Sequence, residues 1–148
     1  MKKNVYLDVC ALCRSFDDQS YLRVRLETEA VNLILAGVLR GDLQLVISPV
    51  HHREISDIPD PEERIQILES LQDWGKPITG YREKVRNRAE GLIRLGLGIA
   101  DAAHLAFAEE ANAVFVSCDD KLLKKCRRLS LGVWTGSPIA FCEKENLR

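Results

Sequence analysis

The chain has 148 residues, 46% hydrophobic and 29% charged, and its 21 basic and 22 acidic side chains leave a formal net charge of −1. Residues 1–148 are therefore expected to form one domain with its own core. The balance of charge excludes a protein that grips nucleic acid with its whole surface, so any such affinity has to come from a local patch or a metal.

No apolar run approaches the roughly 18 residues that a membrane span needs. Lys2 and Lys3 are followed by Asp8 and Arg14, which is no signal peptide. A cytoplasmic protein is expected, its five cysteines present as reduced thiols.

In chain order, Val5-Tyr6-Leu7 predicts a buried strand over residues 3–7. Asp17, Asp18 and Ser20 offer helix-start chemistry. Leu22, Leu26, Ala30, Leu33 and Val38 follow at helical spacing, and Gly41 closes that helix. Leu43 to Ile47 predicts a second strand, and Pro49 opens a helix carrying Val50 to Ile55. At Asp60-Pro61-Glu62-Glu63, Asp60 is expected to cap, Pro61 to take the first helical position and Glu63 to bond back to the cap. Trp74-Gly75 ends that helix, and residues 78–81 suggest a short extended piece. Val85, Ala89 and Leu92 mark another helix, stopped near Gly96 or Gly98. Residues 99–111 are Ala-rich and helical, 113–117 a third strand, and Asp119 or Asp120 caps a helix through about Arg128. Leu131 to Trp134 predicts a last strand, and Ser137-Pro138 opens a terminal turn or helix. This alternation describes a parallel sheet covered by helices on both faces.

Sites in such sheets form beyond the carboxyl ends of the strands. Asp8 follows the first strand and Asp119 the third. Glu54 lies in the helix after the second strand, and Asp101 in the first turn of the helix that feeds the third. Four carboxylates from four segments are expected at one edge. Such a cluster raises its own pKa values unless a cation neutralises it. Mg²⁺ or Mn²⁺, one or two ions, suits all-oxygen ligands and phosphodiester hydrolysis. Each acid also has a plainer reading: Asp119 and Asp120 as helix caps, Asp101 as a dipole partner, Glu54 as a solvated helix residue. Asp8 is the hardest to explain that way, because an acid at the end of a buried strand rarely helps packing.

These residues resemble the PIN-domain family, and the resemblance runs nearly the whole chain. Val5-Tyr6-Leu7-Asp8 is similar to its opening strand and first acid. The stretch from Arg14 to Ser20, with Arg23 to Glu27, resembles one bacterial branch. Ser48 to Ile55 resembles the segment of the second acid, Gly98-Ile99-Ala100-Asp101-Ala102 the third-acid motif, and Ser117-Cys118-Asp119-Asp120 the Thr-x-Asp motif. The resemblance implies a three-layer α/β/α sandwich with a mostly parallel sheet of about five strands. It implies a metal-dependent ribonuclease with Asp8, Glu54, Asp101 and Asp119 as ligands and Asp120 as a possible extra acid. It further implies RNA as substrate, a homodimer, and a possible antitoxin partner of the kind that virulence-associated protein C-like toxins have. Ser117 keeps the hydroxyl of the usual Thr. One departure stands out: Val9-Cys10 replaces the polar pair that usually follows the first acid, a loss expected to lower metal affinity or rate by about 10–100-fold. A metal-stabilised binding module without turnover is the alternative.

Lys121, Lys124 and Lys125, with Arg127 and Arg128, form a basic patch beside Asp119, and Arg14, Arg23 and Arg25 are candidates to extend it. It is either a solvated helix face or a phosphate track. His104, three residues past Asp101, is read as a partly buried helix histidine, with contact to a ligand acid or RNA as the alternative. Cys10-Ala11-Leu12-Cys13 has no second ligand pair for zinc. Cys10 also stands where haloacid-dehalogenase-like phosphatases need a second acid, which argues against that class.

Overall fold

The computed structural model describes residues 2–80 and 82–148. Among them, five strands run in the order β3-β2-β1-β4-β5, every neighbouring pair parallel. They are β1 (Lys3–Leu7), β2 (Leu43–Ile47), β3 (Gly75–Pro77), β4 (Val114–Val116) and β5 (Thr135–Gly136). The helices are α1 (Val9–Leu12), α2 (Leu22–Arg40), α3 (Pro49–Ser56), α4 (Pro61–Trp74), α5 (Arg82–Arg94), α6 (Ile99–Glu110), α7 (Asp120–Arg127) and α8 (Pro138–Glu145). No helix of the described residues is long and apolar enough to cross a membrane.

The period-two alternation of the strands divides the core into two layers. Val5, Leu7, Leu45, Ile47 and Val116 face α2, α3, α4 and α8, meeting Ile34, Ile55, Leu71 and Phe141. Tyr6, Val46 and Phe115 face the other way, onto Leu92, Leu105 and Leu122 of α5, α6 and α7. Burying each such side chain contributes about 1.5–3 kcal/mol, so the alternation fixes both strand register and helix side. The strand order reverses at β1: the chain moves outward to β2 and β3, then returns to place β4 on the opposite flank. The crevice beyond the carboxyl ends of β1 and β4 is where such sheets bind ligands.

Gly41 ends α2 as its spacing predicts, with φ of 87° in the left-handed region and its N–H turned back onto Gly37 and Val38. The start of α2 differs from expectation. Asp18 spends its side chain on the Ser20 N–H in a local turn, a short α1 and a 3₁₀ turn at Arg14–Phe16 intervene, and Tyr21 precedes α2 with no side-chain cap. Asp60 caps α4 through the Glu62 N–H; the reciprocal cap bond expected of Glu63 is not among the described hydrogen bonds. That arrangement occurs instead at α3, between Ser48 and His51.

Two strands are displaced. Of the extended piece expected over 78–81, Tyr81 lies outside the described residues, and the strand falls earlier, at Gly75–Pro77. The chain turns straight from α4 into β3 because Gly75 lacks a side chain. A Cβ there would stand 2.6 Å from the Leu71 carbonyl oxygen and 2.8 Å from Ile47 Cγ2. Gly75→Ala is expected to destabilise the fold by about 1–3 kcal/mol, since a backbone carbonyl cannot swing aside; urea unfolding measures it, and an unchanged midpoint would mean the turn relaxes freely. The last strand falls at Thr135–Gly136 rather than 131–134. Its register is set by β4, where Phe115 and Ser117 donate to the carbonyls of Trp134 and Gly136, while the Gly132 N–H is held by Glu109 at 2.7 Å.

Candidate functional site

Asp8 leaves β1 as the cap of α1, its φ and ψ of −71° and 170° still extended. One carboxylate oxygen accepts the Ala11 N–H at 3.2 Å and the Cys10 thiol at 2.7 Å. Only 6% of Asp8 is exposed. Burial, and after it Cys10, push this carboxyl well above the usual carboxylate range. The neighbouring Cys118 thiol and burial push the Cys10 thiol up, so it stays a neutral donor. Cys10 also lies 3.5 Å from Ser117 Oγ. At Val9-Cys10, where the usual polar pair is replaced, a thiol stands beside Asp8 and donates to it. Classing cysteine with the small apolar residues hid that donor.

Ser117, fully buried at the end of β4, accepts the Asp119 N–H at 3.0 Å. Asp119 caps α7, taking the N–H groups of Lys121 and Leu122 at 3.0 and 3.2 Å on one oxygen. Asp101 stands in the first turn of α6, half-buried. Burial, and next the charge of Asp119, push its carboxyl up, and Glu54 acts in the same direction. Glu54, in the last turn of α3, accepts from His104 Nε2, and that bond holds its carboxyl below the usual range. His104 is thus both buried and in contact with a candidate acid, which joins the two readings offered for it.

Other candidates are drawn elsewhere. Asp120 is gripped by both terminal nitrogens of Arg23, at 2.6 and 2.7 Å. Arg14 turns inward onto Glu27 at 2.7 Å and onto Asp17 at 3.0 Å. Lys121, Lys124 and Lys125 are exposed on α7, with Lys125 Nζ 3.3 Å from the Gly96 carbonyl oxygen. Tyr6, Ser48 and His51 carry no signal of a site in the sequence, yet they line the same edge from beneath. His51 takes the Ser48 N–H on Nδ1 at 3.0 Å and gives Nε2–H to the Leu7 carbonyl at 2.6 Å. Burial, with the His104 ring next, holds its pKa down to about 3.

Whether these acids suit a cation is a matter of donor chemistry and of stress. The donors are hard oxygens, and Asp101 carries the like-charge load of Asp119 and Glu54 that a cation relieves. Among the described residues no group of three or more His, Cys, Asp or Glu side chains forms a ready-made cage.

A parallel sheet of this order, flanked by helices on both faces, defines the PIN-like α/β/α fold. The particular likeness is to the VapC/FitB type of that fold. FitAcB from Neisseria gonorrhoeae superposes with a TM-score of 0.56 at 13% identity, covering 91% of this chain and 98% of that one. VapBC2 from Rickettsia felis, bound to a DNA fragment from their promoter, gives 0.55 at 16%, covering 90% and 98%. PAE2754 from Pyrobaculum aerophilum gives 0.54 at 15%, covering 97% of each. No family model and no curated protein matches the sequence.

Proposed function

We propose that this chain is a metal-dependent endoribonuclease, with Asp8, Glu54, Asp101 and Asp119 as its acids. What supports the reading is placement: Asp8 follows β1, Asp119 follows β4 and Asp101 opens the helix that feeds β4, and the charges of Asp119 and Glu54 both bear on a half-buried Asp101. Asp101 and Asp119, with Glu54 and Asp8, would hold Mg²⁺ or Mn²⁺. When bound, such an ion supplies a Lewis acid for phosphodiester hydrolysis and lowers the pKa of water. The chain's own share is to orient. Ser117 fixes the approach to Asp119, Cys10 steadies Asp8, and His104 holds Glu54. No side chain acts as a covalent nucleophile in this reading. The likeness to VapBC2 and FitAcB supports pairing with a protein partner, as the toxin of a toxin–antitoxin pair, and a homodimer is the expected free state.

The test is cleavage of a pooled, structured RNA with Mg²⁺ or Mn²⁺, with chelator as control. Cutting that chelator abolishes supports the reading. A second reading, a metal-stabilised binding module without turnover, is favoured by one observation: Asp8 is almost sealed beneath Cys10. RNA and Mn²⁺ binding without cutting would select it. In either case Lys124→Glu with Lys125→Glu is expected to weaken RNA binding at least about 10-fold and to flatten its salt dependence, since each lost phosphate contact lowers the salt slope by about one. Filter binding across a salt series measures this, and an unchanged slope would remove α7 from the RNA path.

A further inference from the structure

We propose that Ser48, Tyr6 and His104 form a buried hydrogen-bond relay with a single arrangement of protons, which makes His104 a positioning residue for Glu54. It rests on the nuclease reading only for what Glu54 is positioned to do. Tyr6 Oη lies 2.7 Å from Ser48 Oγ and is bonded to His104 Nδ1, while His104 Nε2 is bonded to a Glu54 carboxylate oxygen. Tyr6 is fully buried, and Ser48 and His104 are each 2% exposed, so bulk water does not complete the chain.

The donors and acceptors then leave one solution. Glu54 as a carboxylate only accepts, so His104 Nε2 carries the proton. The Ser48 hydroxyl has Tyr6 Oη as its described acceptor, so Ser48 donates to Tyr6. Tyr6 has one proton left to give, and it goes to His104 Nδ1, which must be bare. The opposite order, with a proton on Nδ1, turns the Tyr6 O–H onto Ser48 and strands the Ser48 proton in a buried site without an acceptor. The other neutral tautomer sets a nitrogen lone pair against the carboxylate.

The relay also joins the segments that carry the acids. Tyr6 sits two residues before Asp8 on β1. Ser48 caps α3, the helix of Glu54. His104 follows Asp101 by one turn of α6. His51 ties the same α3 to the Leu7 carbonyl at 2.6 Å. The Tyr6 ring stands edge-on to His104, with centroids 5.4 Å apart and planes at 76°. A bulky polar network in a core is costly to keep fully satisfied, and this one ends on a partly exposed carboxylate at the crevice.

The experiment uses the full chain in two measurements. Nitrogen-15 NMR of histidine-labelled protein, free of metal, reads the His104 tautomer. The expected result is a proton on Nε2 and none on Nδ1, and a proton on Nδ1 overturns the relay. Calorimetry with Mn²⁺ then compares Tyr6→Phe, His104→Gln and His104→Leu, each checked for a folded spectrum. Tyr6→Phe and His104→Leu are expected to lose about 10–100-fold in Mn²⁺ affinity. His104→Gln, whose amide still reaches Glu54 as a donor, is expected to keep most of it. Equal affinity in His104→Leu and wild type overturns the positioning role. If wild type takes up no Mn²⁺ at all, the metal reading has failed, and the tautomer alone upholds or overturns the relay.

Discussion

Asp8→Asn is expected to abolish RNA cleavage and, in the presence of a chelator, to raise the melting temperature at neutral pH. Asp8 is 6% exposed and pushed well above the usual carboxylate range, first by burial and then by Cys10. A raised folded-state pKa means that the native protein holds the proton more tightly than the unfolded chain, whose aspartates titrate near about 3.9. Its stabilising contribution is complete below that value and is lost as pH rises toward and through the raised folded value. At neutral pH the folded state therefore either takes up a proton or buries a charge. Asparagine removes that cost and keeps an oxygen for the Cys10 thiol and the Ala11 N–H. Each 1 kcal/mol recovered raises the melting temperature by about 2–4 °C in a chain of this size. The gain shrinks as the scan moves below about pH 3.9, where the carboxyl is mostly protonated in the folded and the unfolded chain alike. The cleavage loss is expected to exceed the about 100-fold upper range seen for groups one step removed from a metal. Added Mn²⁺ should reverse the order of stability, because only the wild type gains a full ligand. A variant that melts lower than wild type at every pH would show that the Asp8 charge is already compensated.

The layered sheet was legible because period-two apolar runs and helical spacing say the same thing as the caps and glycines. Leu43 to Ile47, Pro49 and Gly41 each behave as the sequence implies. The strand ends were less legible, because β3 and β5 are only three and two residues long and their register is dictated by neighbours far away in sequence. The edge positions of Asp8, Asp101 and Asp119 were legible one by one, since each follows a strand or opens a helix feeding one. Their partners were not. Nothing local says that Glu54 meets His104 across 50 residues, or that Cys10 turns back to Asp8. Polar contacts of that kind depend on rotamers and on which side chains the sheet brings face to face. Arg14 shows the same limit in reverse: its charge beside a basic patch suggested phosphate, while its place in the fold commits it to Glu27.

That commitment carries the second large effect: Arg14→Ala is expected to lower stability substantially without changing the salt dependence of RNA binding. Glu27 is 1% exposed on α2; it accepts from Arg14 at 2.7 and 3.1 Å and forms an ion pair with Arg23 Nε at 3.3 Å. Removing one partner from a fully buried pair costs about 3–5 kcal/mol, because a charge is left without compensation. Here the Arg14 side chain is 21% exposed and Arg23 remains nearby at 53% exposure. Water and the second guanidinium reduce the expected loss to about 2–3 kcal/mol, or roughly 5–10 °C. The double variant Arg14→Met with Glu27→Met is expected to recover most of it, since apolar replacement of a whole buried pair is close to neutral. Arg23→Ala makes the useful contrast. Its grip on Asp120 joins two exposed groups, so that contact is worth about 0–1 kcal/mol. Chemical denaturation of the three variants measures the coupling, and filter binding over a salt series follows the RNA. An Arg14→Ala protein of normal stability whose salt slope falls by about one would return Arg14 to the phosphate track. A protein that loses stability and keeps its slope fixes Arg14 as the strut that anchors the turn after α1 to α2.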